Sequence, residues 1–155
     1  MLDDPPVEFR HGDYVVHTDR ARLDLDAAIA LLGTAPWGAA VTRPVLEHAV
    51  ANSLAFALTD DAGTRLLGFA RAVTDLATYA YLTDVVVAPE LRGRGLGAWL
   101  LDCILAHPQL QGLRRIALLT RDAESLYLRA GFTRGAGDLV YLERRPDPGV
   151  EAAPP

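Results

Sequence analysis

Lysine is missing altogether: all fifteen basic residues of this 155-residue chain are arginine. That excludes a Gly-Lys-Ser/Thr phosphate loop and leaves the chain no lysine amine of its own to be acylated. Cysteine occurs once, at Cys103, which excludes an internal disulfide and a cysteine-based metal cluster. The thiol falls inside a helical apolar pattern, so it is expected as a core residue rather than a nucleophile. No metal site is expected. No apolar run approaches the ~20 residues of a membrane span, and the opening Met1-Leu2-Asp3-Asp4-Pro5-Pro6 is acidic and proline-bearing. A cytoplasmic protein is the default. A net charge of -5 argues against nucleic acid or anionic lipid as a partner and suits a cationic substrate.

Half of the residues are hydrophobic and 23% charged, the balance of a soluble globular chain. The length suits one core. We expect residues 1–12 as a flexible arm, 13–145 as a single domain and the proline-rich 146–155 as a disordered tail.

The chain is organised around residues 85–101. Val85-Val86-Val87 is an uncharged β-branched run suited to a buried strand, and Pro89 stops it. Arg92-Gly93-Arg94-Gly95-Leu96-Gly97-Ala98 follows, with three glycines at alternate positions and an apolar helix directly after. Such a loop lets backbone N–H groups converge on an anion at a helix N-terminus. We read it as a pyrophosphate cradle.

Upstream, residues 14–18 are read as a strand and Asp24 as the cap of a helix closed by Gly33. Thr42 caps a second helix, with Pro44 in its first turn. Trp37, in the loop between the helices, lines a substrate mouth or plugs the gap. His17 and His48 are read as structural or surface residues. Residues 55–59, 66–73 and 79–87 form an antiparallel meander whose first turn is Asp60-Asp61-Ala62-Gly63. Asp84 interrupts an apolar strand, which is costly unless the carboxylate is paired or used. Downstream, residues 96–105 are helical and end at His107-Pro108. Residues 115–120 form a strand parallel to the one before the loop. Asp122 or Thr120 caps a short helix over 123–130 closed by Gly131, Phe132 returns to the core, and residues 139–144 form a last strand.

The order strand, Arg92-x-x-Gly95-x-Gly97, helix, strand and then Ala123-x-x-x-Tyr127-x-x-x-Gly131-Phe132 resembles the GCN5-related N-acetyltransferases, or GNATs. The resemblance covers roughly residues 14 to 144. It implies an α/β (α+β) fold with a mixed, mostly antiparallel sheet of six to seven strands, about four flanking helices and a splayed parallel pair. It implies acetyl-CoA as cosubstrate and a primary amine as acceptor, most simply on a small molecule; homodimers are common in the family. Backbone groups of Val85, Val86 and Val87 would hold the pantetheine, as an added strand, and the loop from Arg92 to Ala98 the pyrophosphate. Thr120 stands where many members carry asparagine and is a candidate cofactor contact. Tyr127 suits the general acid that protonates the leaving thiolate, because a phenol of pKa ~10 and a thiol of ~8.5 are nearly matched. Asp84 is the candidate base, with Asp75 in reserve. Phe69, Asp75, Tyr79, Tyr81 and Trp37 are candidates for the acceptor site.

Two other readings compete. Gly93-x-Gly95-x-x-Ala98 also satisfies a dinucleotide fingerprint, but five residues separate the strand from the first glycine, a meander precedes the loop, and residues 109–115 lack the required acidic residue. A non-catalytic acyl-CoA-binding module is the other, and Tyr127 argues against it.

Overall fold

The computed structural model describes residues 5–37, 41–135, 137–138 and 140–145. Six strands form one sheet in chain order: β1 (Glu8–His11), β2 (Tyr14–His17), β3 (Leu54–Asp60), β4 (Leu66–Thr74), β5 (Tyr79–Val87) and β6 (Arg115–Ala117). The first five run antiparallel, and β6 lies parallel to β5. Four α-helices cover the sheet: α1 (Leu25–Leu32), α2 (Arg43–Ala51), α3 (Leu96–Ala106) and α4 (Glu124–Arg129).

Period-two alternation assigns the two faces. On β3, Leu54, Phe56 and Leu58 join the core under α3, with Leu100, Leu101, Cys103 and Ile104, whereas Ala55 joins the core under α1 and α2, with Ala28, Leu32, Leu46 and Val50. β5 obeys the same rule and then breaks it. Ala80 and Leu82 face α3, yet Val86 faces α1 and α2. A one-residue bulge explains the switch: Arg71 pairs with Thr83 and Phe69 with Val86, so β5 carries an extra residue there. Asp84 sits in this bulge at φ 58°, a left-handed conformation that aspartate tolerates better than most residues.

Helix caps follow the local chemistry. The Asp24 carboxylate accepts from the Ala27 N–H at the start of α1, and the Thr120 hydroxyl accepts from the Ala123 N–H ahead of α4. α3 starts differently, at Gly95 with φ 80° and, among the described residues, no side-chain cap hydrogen bond.

Three expectations are corrected. Residues 8–11, expected in a loose arm, form β1 against β2; Phe9 is the one large apolar residue of the segment, which concealed the pattern. β6 ends at Ala117 rather than Thr120. The last strand does not form over 140–144, which are exposed, because a strand needs a neighbour for its backbone groups and β6 offers only three residues. Leu139, residues 1–4 of the arm and the 146–155 tail lie outside the described residues.

Candidate active site

β5 and β6 share only three pairs, Tyr79 with Arg115, Ala80 with Ile116 and Tyr81 with Ala117. Beyond them β5 continues to Val87 while the segment after β6 turns away toward α4. The gap is a cavity of about 580 Å³ lined by both diverging segments, the α1–α2 loop, the start of α3 and α4. The Ala88 N–H donates to the Leu67 carbonyl on β4 at 2.8 Å. Alternation therefore turns the N–H and C=O of Val87 and Val85 away from β4, into the gap. The Val87 carbonyl is reached there by Arg92, whose Nε donates to it at 3.2 Å. Arg92 Nη2 also donates to Thr34 Oγ1 at 3.4 Å, tying the loop to the end of α1.

At one end of the cavity lie Arg92, Gly93 and Gly97. Gly93 (φ 76°) and Gly95 (φ 80°) hold the left-handed conformations that bend the chain into α3, and no atom lies within 4 Å of a Cβ built on either. The backbone N–H groups ahead of α3, its uncapped first turn and the Arg92 guanidinium make an anion cradle open to a ligand. The donor set fits a pyrophosphate, and the unpaired edge of β5 fits an extended amide chain.

Tyr127, on α4, lines the same cavity and is 9% exposed. Its ring meets Phe132 edge to face at 5.8 Å, and the Phe132 N–H donates to the Tyr127 carbonyl at 3.0 Å. Burial, with the negative charge of Asp122, raises the phenol above its ordinary pKa, so the hydroxyl keeps its proton at neutral pH.

Other predicted residues are sorted by position. Val85, Val86, Val87, Arg92, Gly93, Gly97, Thr120, Asp84, Trp37 and Tyr81 line the cavity. The Tyr81 hydroxyl takes a backbone hydrogen bond from Leu119, and burial raises its pKa. Arg94, Gly95, Leu96 and Ala98 do not line it; the Leu96 side chain is buried in the core. Three acceptor candidates are corrected. Phe69 is fully buried under α1 and α2. Tyr79 stands outside the cavity, 40% exposed. Asp75 closes the β4–β5 turn, its carboxylate accepting from the N–H groups of Ala77, Thr78 and Tyr79 and from the Thr78 hydroxyl. Those bonds hold its pKa far below the usual carboxylate range, and Asp75 does not line the cavity.

Sequence reasoning missed Ala35, Pro36, Arg121 and Asp122, which also line the cavity. It also passed over Arg71, whose Nε donates to Asp84 Oδ2 at 2.6 Å. The signal was a lone arginine in the apolar strand Leu66–Thr74. Among the described residues, no group of His, Cys, Asp and Glu could hold a metal ion, and no helix is long and apolar enough to cross a membrane.

A family model described as "Acetyltransferase (GNAT) domain" matches residues 51–134, over half of the chain. The chain belongs to the GNAT acetyltransferase family. A "putative acetyltransferase" of Gibberella zeae is 33% identical over 143 residues, covering 79% of this chain and 80% of its own. A GNAT structure from Xanthomonas campestris superposes with a TM-score of 0.79 at 40% identity, covering 88% of this chain and 95% of its own. A Porphyra purpurea protein named as an uncharacterized N-acetyltransferase is 34% identical over 105 residues, 61% of this chain and 58% of its own. GNAT enzymes use acetyl-CoA as cosubstrate, and the cradle and open strand edge are compatible with it.

Proposed function

We propose that this GNAT protein transfers the acetyl group of acetyl-CoA to a primary amine of a small molecule. One observation carries the reading: the unpaired length of β5 beyond Tyr81 runs into the glycine cradle, with Tyr127 lining the same cavity. When bound, acetyl-CoA supplies the thioester that a neutral amine attacks. Val85 and Val87 hold the pantetheine amides along the β5 edge, and the N–H groups of residues 92–98 hold the pyrophosphate. Thr120, which lines the cavity, would lie beside the pantetheine arm. A backbone N–H on the same edge stabilises the developing oxyanion.

Two side chains move the protons. Tyr127 donates its phenolic proton to the departing thiolate, a transfer for which its buried, protonated state prepares it. Asp84, on the same cavity wall, takes the proton of the attacking amine through a water molecule. Trp37 and Tyr81 flank the acceptor.

The test is release of free thiol from acetyl-CoA across a panel of amines, with Tyr127→Phe and Asp84→Asn alongside the parent. Amine-dependent release that falls in both variants, with acetyl-CoA binding retained, is the expected result. Binding of acetyl-CoA with no amine-dependent release would instead identify an acyl-CoA-binding module.

A further inference from the structure

Arg71 is the one charged residue of β4, and the chemistry above gives it no part. Its side chain is 14% exposed and makes three contacts in different directions. Nε donates to Asp84 Oδ2 at 2.6 Å, while Nη1 donates to Ser53 Oγ at 3.3 Å and to the Ala49 carbonyl at 3.4 Å. Ser53 is fully buried, and its hydroxyl donates to Ala49 at 2.6 Å. The guanidinium is thus braced against the end of α2 before it reaches Asp84.

Asp84 needs such a partner. It occupies the bulge of β5 at φ 58°, on the wall of the cavity. Nothing in the ladder fixes an extra residue there, since a bulge leaves it unpaired. Its carboxylate is held instead by two side chains: Arg71 takes Oδ2, and the Thr83 hydroxyl donates to Oδ1 at 3.2 Å. Arginine meets this geometry because one planar group points separate N–H bonds at three acceptors, which a lysine ammonium on a flexible stem does less well.

We propose that Arg71 is a positioning residue for acetyl transfer: braced by Ser53 and the Ala49 carbonyl, it fixes the bulge and aims the Asp84 carboxylate at the acceptor amine. The inference rests on the reading of Asp84 as proton acceptor. Arg71 touches neither substrate and acts through Asp84 alone.

A double-mutant cycle tests it, with kcat, KM for each substrate and acetyl-CoA Kd measured for Arg71→Gln, Asp84→Asn and the double variant. Arg71→Gln is expected to lower kcat by about 10- to 100-fold, the scale of misplacing a reacting group by about an ångström, with acetyl-CoA Kd unchanged. In the Asp84→Asn background the same substitution should change kcat little, because groups that act as a unit are not additive. Arg71→Lys should recover part of the loss. Should Arg71→Gln fail to fold, Ser53→Ala removes one of the two brace contacts, leaving that to the Ala49 carbonyl, and should lower kcat more weakly but in the same background-dependent way. Retained kcat in Arg71→Gln or Ser53→Ala, or equal losses in both backgrounds, overturns the positioning role and leaves the reading of Asp84 standing. Full turnover in Asp84→Asn overturns both.

Discussion

Tyr81 and Ala117 form the last pair of the parallel ladder, and everything on β5 beyond Tyr81 has an edge facing the cavity. Strand addition by a pantetheine arm would fill that edge. Acetyl-CoA is therefore expected to slow hydrogen exchange at the Val85 and Val87 amides, with little change at Val86 and Ala88, which face β4. Residue-resolved exchange with and without acetyl-CoA measures this. Protection spread evenly over β5, or absent from Val85 and Val87, would contradict strand addition.

Tyr127→Phe should lower kcat by about 100-fold, the low end for a lost general acid, with acetyl-CoA KM unchanged. The pH dependence has a definite sign. Burial raises the phenol above its ordinary value of 10.0, and the acid form is lost only as pH rises through that raised value. Tyr127 should cause no decline in kcat between pH 7 and 9. A decline in that interval that disappears in Tyr127→Phe would count against it.

The parts of the site that local sequence could reveal were those whose conformation is set locally. Gly93 and Gly95 mark a backbone that must turn left-handed, and Tyr127 stands a fixed helical distance before Gly131-Phe132. The place of the Asp84 bulge was not legible, because it shows only in the pairing of β5 with β4, where Arg71 meets Thr83 and Phe69 meets Val86. Phe69 and Tyr79 looked alike as aromatics in a meander, and only the packing of α1 and α2 separates the buried ring from the exposed one. Asp75 differs, since its reading as a reserve base competes with a local use. Asp-x-x-Thr is also a turn signature, its carboxylate satisfying the N–H groups that follow, and that local use consumed the residue.

Glycines of the loop should separate stability from binding. Gly95→Ala forces a side chain into φ 80°, at a cost of about 1–2 kcal/mol, and should lower Tm. Gly97 lies inside α3, where a Cβ would meet only Val87 Cγ2 at 3.8 Å, ordinary contact. Gly97→Ala should thus gain at most about 0.5 kcal/mol of helix stability, Gly97 being the second residue of α3. It also lines the cavity, so its methyl should raise acetyl-CoA KM while Tm rises. Thermal melts beside acetyl-CoA titrations check both; parallel changes in Tm and affinity for Gly97→Ala would sink the distinction.

His17 and His107 are each 2% exposed, and burial lowers the pKa of both below the ordinary value of 6.5. Among the described residues, Nδ1 of His17 has no hydrogen-bond partner, whereas that of His107 accepts from the Gln109 N–H at 3.3 Å. A histidine held neutral in the fold but free to protonate when unfolded makes the unfolded state bind more protons at low pH. Its contribution is fully present above about pH 6.5 and is lost as pH falls from there through the lowered folded value. Tm should therefore be flat from pH 7 to 8 and fall below about pH 6.5. His107→Phe, which keeps a ring near Phe56 where the two now meet edge to face at 5.4 Å, should flatten the acid side of the curve. An unchanged slope in that variant would mean that other groups carry the acid sensitivity.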